Sequence, residues 1–259
     1  MPDAFRHCPA LRGKIQDPET SIFRRMEERY AEYDARMAEM GRTDWRLTHE
    51  AREATRAEAL AGRMDQDLWV FGYGSLIWDP AVHFDQLRRA SADGFRRRFC
   101  LHLEGGRGTP ERPGLMASLD RAEGRMCEGV AMRIPAALVN EETRIMWMRE
   151  MITGAYLPAF IPLDTPQGPI EALAFLVKRG DDRYCDCGDA EAARRIAFAE
   201  GTLGSNVEYL ARLVEHLETL QIHDAEMTDL LAACLALRSE AGLETPAPSG
   251  PSRPLPGAP

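Results

Sequence analysis

Two short stretches carry residue types that could do chemistry. The first, "FGYGSLIW" from Phe71 to Trp78, ends an apolar run that begins at Leu68, and its glycines Gly72 and Gly74 bracket Tyr73 just before Ser75. Glycines at the end of a strand permit φ > 0 and let another molecule approach the bare main chain. Successive N–H groups in such a turn, with a serine hydroxyl beside them, form a nest for a carboxylate or phosphate, although a plain strand-ending turn has the same composition. The second stretch, "WMREMITGAY" from Trp147 to Tyr156, sets Glu150 among Trp147, Met148, Met151 and Ile152. Burial among these side chains would raise the carboxylate's pKa toward neutrality and make it a proton shuttle; the alternative is an exposed helix carboxylate paired with Arg149.

Other chemistries find less support. "GYGSLI" lacks the third glycine of G-x-G-x-x-G and belongs to no recognisable βαβ unit, which argues against a dinucleotide. No histidine is placed to activate Ser75 as a nucleophile, and His83, His102 and His216 have no compelling partner spacing. Cys185 and Cys187 in "YCDCGD" could form half of a metal site, but without a second pair they read as a loop before a helix, so no metal or cofactor is expected. Glu208 in "SNVE" is a further carboxylate, for which a capping-box role with Ser205 suffices.

With 32 basic against 41 acidic residues the net charge is -9, which disfavours general affinity for nucleic acid or an anionic membrane. A small molecule or a protein is the expected partner. The six scattered cysteines, with no signal peptide or long apolar span, fit a reducing cytoplasm.

The elements that must position these residues change character along the 259-residue chain. Residues 1–66 have little strand signal and read as a helical extension, with Ile22, Phe23, Met26, Tyr30 and Tyr33 on one apolar stripe that packs on the main domain or a partner subunit. Strand patterning follows at 68–71, 94–103, 114–120, 125–134, 157–163 and 170–177, with hairpins expected through "RAEG" (Arg121 to Gly124) and "DTPQG" (Asp164 to Gly168). A helix with Leu138, Glu141, Ile145 and Met148 on one face separates them. Three more helices are expected, one capped by Asp189, one by Ser205 with Glu208, and one starting at Asp224 and ending near Gly242. Strands first and helices mostly after point to an α+β fold, a small bent β-sheet or barrel with flanking helices, over residues 67–240. The proline-rich residues 241–259 are expected to be a disordered tail.

"FGYGSLIW", then "GFRRRFCLHLEGGRGTPERPGLMASL", "EGVAMRI", "REMITGAYLP" and "GSNVEYL", in this order, resemble the ChaC-like γ-glutamylcyclotransferases over approximately Leu68 to Leu237. The resemblance implies a small barrel with flanking helices, Tyr73, Gly74, Ser75 and Leu76 as the loop that holds a γ-glutamyl group, and Glu150 as the acid/base. Tyr156 matches the tyrosine that closes the glutamate motif. Some members have Gly-Gly-Tyr soon after the glutamate; here Met151, Ile152 and Thr153 precede Gly154, Ala155 and Tyr156, as in the bacterial branch. The implied reaction is cleavage of glutathione to 5-oxoproline and Cys-Gly, with Arg96, Arg97, Arg98, Arg107 and Arg112 available to receive the glycyl carboxylate. The alternatives are a cyclotransferase for other γ-glutamyl amines or dipeptides, and a non-catalytic γ-glutamyl-binding module.

Overall fold

The computed structural model describes residues 3–39 and 41–244. Its centre is a five-stranded mixed sheet of β1 (Leu68–Gly72), β2 (Gln86–Leu103), β3 (Gly114–Ile134), β4 (Tyr156–Leu163) and β5 (Ile170–Val177), in the order β2-β3-β1-β5-β4. β1 lies antiparallel to the end of β3, from Leu68 opposite Ile134 to Gly72 opposite Val130, and parallel to β5 through Val70 and Leu173. β3 also meets β5 at Leu119 and Leu176, so the sheet must curl for one strand to reach both neighbours.

Side-chain alternation turns this curl into two cores. On β5, Ala172, Ala174 and Leu176 face an inner cluster with Phe71, Ala90, Phe95, Leu119, Ala131 and Ile161. The intervening Leu173, Phe175 and Val177 belong to a second cluster shared with the helices, including Trp147, Leu210 and Leu213. A strand covered on both faces reads as a nearly continuous apolar run, which explains why "IEALAFLV" shows little polar alternation.

The hairpin expected through "RAEG" does not form. The segments before and after it belong to one strand, and both pair with β2, which is longer than expected: Gln86 to Asp93 lie opposite Arg133 to Met126, and Phe95 to Leu103 opposite Arg121 to Gly114. Between these registers, residues 122–125 of β3 face only Gly94 of β2, so turn-type residues serve a bulge in a bent ribbon. Gly94 takes φ +79° there, a conformation that strains any residue with a β-carbon. The "DTPQG" hairpin does join β4 to β5, with Leu163 opposite Ile170.

Helices cover the outside of the curled sheet: α1 (Met26–Glu39), α2 (His49–Ala59), α3 (Val139–Glu150), α4 (Asp189–Phe198), α5 (Asn206–Thr219) and α6 (Ala225–Glu240). α4 starts at Asp189, which lies in its first turn; Gly188 occupies the cap position, so Asp189 favours the start by its charge at the helix N-terminus. Ser205 and Glu208 form the expected capping box on α5, and the Asp224 carboxylate accepts from the Met227 N–H at the start of α6. No described helix is long and apolar enough to cross a membrane. The tail expected at 241–259 falls outside the described residues from 245 onward.

α3 matters most for the site. Ile145 and Met148 are buried as its expected face requires, but so are Val139, Glu142, Thr143, Met146, Trp147 and Arg149, while Glu141 is exposed. A helix buried on nearly every side needs a second cover besides the sheet, and α1 and α2 provide it. Trp147 meets Phe175 of β5 edge to face at 5.2 Å and donates from Nε1 to Thr55 Oγ1 of α2 at 3.1 Å.

Candidate active site

The loop after β1 and the end of α3 come together at one end of the sheet. Tyr73 is buried and its hydroxyl donates to the Phe175 carbonyl at 2.6 Å. Gly74 leads into a single 3-10 turn, Ser75–Ile77. The turn's own hydrogen bonds begin with the Ile77 N–H to the Gly74 carbonyl at 2.9 Å, which leaves the Ser75 and Leu76 N–H groups to another acceptor. Neither Gly72 nor Gly74 adopts positive φ, contrary to expectation. Close approach is what favours glycine: a β-carbon on Gly74 would stand 3.3 Å from the Tyr209 hydroxyl, and one on Gly72 3.2 Å from both Leu76 and Val130.

Glu150 closes α3 and combines the enclosure of one reading with the Arg149 pairing of the other, without that other reading's exposure. It is largely enclosed, with 14% of its side chain exposed, and it is ion-paired with Arg149, whose Nε donates to Glu150 Oε1 at 2.8 Å. Burial pushes the Glu150 carboxyl above its usual range, while the charge and hydrogen bond of Arg149 pull it back in part. Arg149 is itself buried. Its Nη2 donates to Ser75 Oγ at 2.7 Å and its Nη1 to the Asp79 carbonyl. One guanidinium therefore fixes the carboxylate relative to the loop, with a fork geometry that lysine could not reproduce.

Three buried tyrosines lie within reach of the Glu150 charge. Burial and then the charges of its neighbours, Glu150 among them, raise the pKa of Tyr73 and of Tyr156; Tyr209 is pushed up to about 12 by burial and then by Glu150. All three hydroxyls stay protonated at neutral pH; that of Tyr73 is given to the Phe175 carbonyl, and those of Tyr156 and Tyr209 can donate. Tyr156 opens β4 two residues after Gly154, whose φ of +72° makes the turn back from α3, and its hydroxyl lies 3.4 Å from Ser118 Oγ. Tyr209 was not singled out as a site residue from sequence. Its signal lay in the "SNVEYL" motif, since a capping box at Ser205 fixes where α5 begins and hence which side chains face inward.

The remaining candidates have structural occupations. Ser75 faces an arginine and not a base, which removes its support as a nucleophile. Glu208 accepts from the Ser205 N–H at 3.1 Å and pairs with Arg107, as its capping role requires. Arg97, one of the arginines offered for the glycyl carboxylate, is buried and donates to the Tyr73 carbonyl at 2.6 Å as well as to Asp224, so it braces the loop from behind. Arg98 pairs with Asp186 at 2.7 Å and Arg107 donates to the Ser205 carbonyl at 3.0 Å. Arg112 lines a cleft of about 490 Å³ with His102, Arg194, Arg195 and Phe198, and Arg96 lines a smaller one beside Asp224; the linings of both exclude Glu150 and the loop. Cys185 and Cys187 are free thiols in the segment before α4.

A curled mixed sheet whose first strand ends in this loop, with a helix-borne glutamate beside it, defines a γ-glutamylcyclotransferase-like fold. The crystal structure of the yeast γ-glutamyl cyclotransferase specific to glutathione superposes with a TM-score of 0.63 at 23% identity, covering 68% of this chain and 98% of the yeast chain. The family model for ChaC-like protein matches residues 68–236, and the chain belongs to that family. It is 40% identical over 194 residues to the glutathione-specific γ-glutamylcyclotransferase of Escherichia coli, covering 74% of this chain and 83% of that protein. To the human glutathione-specific γ-glutamylcyclotransferase 1 it is 32% identical over 157 residues, 59% of this chain and 71% of the human one.

Proposed function

We propose that this protein is a glutathione-specific γ-glutamylcyclotransferase that releases 5-oxoproline and Cys-Gly. The observation that carries the reading is the buried Glu150 carboxylate, tied through Arg149 to the Ser75 hydroxyl of the loop. The names of its relatives, glutathione-specific in both Escherichia coli and man, support the choice of substrate.

The substrate carries its own nucleophile. Its α-amino nitrogen attacks the γ-carbonyl carbon, a C–N bond forms to close a five-membered ring, and the bond to the cysteinyl nitrogen breaks. The protein must fold the substrate, take a proton from the ammonium and return one to the departing amine. In this reading the Ser75 and Leu76 N–H groups hold the α-carboxylate, which sets the neighbouring ammonium beside Glu150. Glu150, with a pKa raised by burial, is basic enough to accept the proton and acidic enough to give it up. The protonated hydroxyls of Tyr156 and Tyr209 are the donors available to the oxyanion that develops on the carbonyl. Leu76 and Tyr73 give the loop its fixed shape, Leu76 by burial in the outer core and Tyr73 through its bond to Phe175.

Incubation of the purified protein with reduced glutathione, γ-glutamyl dipeptides and γ-glutamyl amines tests the reading. Equimolar 5-oxoproline and Cys-Gly from glutathione, with slower turnover of the others, is expected; turnover of the others alone would reassign the substrate.

A further inference from the structure

The segment ahead of the family match, which begins at residue 68, makes a series of contacts with a single stretch of chain, from the start of α3 to the turn before β4. Arg24 Nη1 bonds the buried Glu142 carboxylate at 2.7 Å. The Phe23 ring lies on the Arg149 guanidinium, with 4.3 Å between its centroid and the guanidinium carbon. The Tyr30 hydroxyl donates to the Met148 carbonyl at 3.0 Å. Beyond Glu150, the Leu47 N–H donates to the Ile152 carbonyl at 2.7 Å, and the Leu47 side chain would stand 3.2 Å from a β-carbon at Gly154. Glu150 is thus bracketed on both sides along the chain, and the group that holds it, Arg149, is covered by an aromatic ring from the segment.

The geometry points to the N-terminal segment as a positioning element of the active site, which sets Glu150 through the face of Arg149 that Phe23 covers. This rests on the function proposed above for Glu150. A helix end held only by the sheet could slide or rotate relative to the loop. Each named contact opposes that motion, and the ring on Arg149 also keeps water from the guanidinium, so that its fork stays committed to Glu150 and Ser75. Phe23 acts on Glu150 through its contact with Arg149, which makes it a positioning residue.

The charged and titratable groups that face Glu150 are Arg149 from α3, Tyr73 from the loop, Tyr156 from β4 and Tyr209 from α5. The tyrosines remain neutral through the acid range, so a loosened Arg149 lets the Glu150 carboxyl bind its proton more tightly.

The full-length chain with Phe23→Leu, Phe23→Tyr and, as a packing control, Phe5→Leu separates positioning from mere stability. Phe5 belongs to the same N-terminal segment and packs edge to face on Phe84 at 5.8 Å, with Arg12 over its ring. Expected for Phe23→Leu is a kcat lowered roughly three- to thirtyfold with KM nearly unchanged and the acidic limb moved to higher pH. Phe23→Tyr keeps the ring and should restore both, while Phe5→Leu should lower the melting temperature without moving either. Infrared titration of the Glu150 carboxyl band, assigned by its loss in Glu150→Gln, should show the same upward displacement in Phe23→Leu without any substrate. An unmoved carboxyl titration in Phe23→Leu, or a Phe23→Leu effect confined to melting temperature as in Phe5→Leu, overturns the inference. Absence of product from the unaltered chain would instead overturn the proposed function, and the infrared titration would still decide the role of Phe23.

Discussion

The interior of the curled sheet and the shell around α3 hold their residues by different means. Inside, Phe71, Leu119, Ile161 and Leu163 pack with alanines in a cluster whose contacts are non-directional. Around α3 the ties are directional: Arg24 to Glu142, Trp147 to Thr55, Tyr30 to the Met148 carbonyl, Arg149 to Glu150 and Ser75. Apolar packing suffices to fix where a strand runs and therefore where its loop emerges. A proton shuttle needs more, because its position and its charge state must both be set, and buried polar bonds set both at once. The two regions meet at the loop, which Arg97 braces from the sheet side and Arg149 from the helix side.

This contrast predicts that damage inside the sheet is read in stability and damage around α3 in the chemistry as well. Phe71 is fully buried, and Phe71→Ala should cost about 3 to 5 kcal/mol in denaturant unfolding while the folded fraction keeps its acidic limb. A shifted limb in that variant would break the distinction. Arg24→Met leaves the Glu142 carboxylate buried with, among the described residues, the His83 N–H as its remaining bond, and should cost about 2 to 4 kcal/mol, most of it recovered in Arg24→Met/Glu142→Met. Failure of the double variant to recover would show that the pair does more than satisfy a buried charge. Gly74→Ala places a methyl against the Tyr209 hydroxyl, and should raise KM several-fold for about 1 kcal/mol of lost stability. Unchanged KM would remove the loop from substrate binding.

The smallest expected effect concerns pH. Glu150 has a folded-state pKa raised above its unfolded value, so its contribution to stability is fully present below the unfolded pKa and is lost as pH rises through the folded one. Glu150→Gln should therefore remove a small loss of stability on the alkaline side of the ordinary glutamate range. Activity runs the other way, falling as pH drops and Glu150 takes up its proton, with a midpoint above the ordinary glutamate value.

Much of this was legible in the sequence, and the gaps have physical causes. Alternation and turn residues locate most of the strands, and apolar spacing puts the stretch that holds Glu150 on a helix, because these are local signals. "RAEG" misleads because a bulge in a bent ribbon and a hairpin turn ask for the same residues; only the length of β2, which starts eight residues before Gly94, separates them. Arg97 sits in a basic run that looks solvated, and its burial follows from long-range partners, Asp224 and the Tyr73 carbonyl, that no spacing reveals. Tyr209 joins the site across more than fifty residues from Glu150 for the same reason. The pairing of Arg149 with Glu150 reads in the sequence as a sign of exposure, yet in the fold it coexists with burial, and Phe23 of the N-terminal segment lies over Arg149.

The most direct test compares the unaltered chain with Glu150→Gln on reduced glutathione, quantifying 5-oxoproline and Cys-Gly by mass spectrometry and glutathione binding by calorimetry. The substitution keeps the size of the side chain and removes its basicity. Loss of both products together by roughly a hundred- to ten-thousandfold, with binding retained, is the predicted result. Unaltered turnover in Glu150→Gln would contradict the account, since the proton would then be passing through another group.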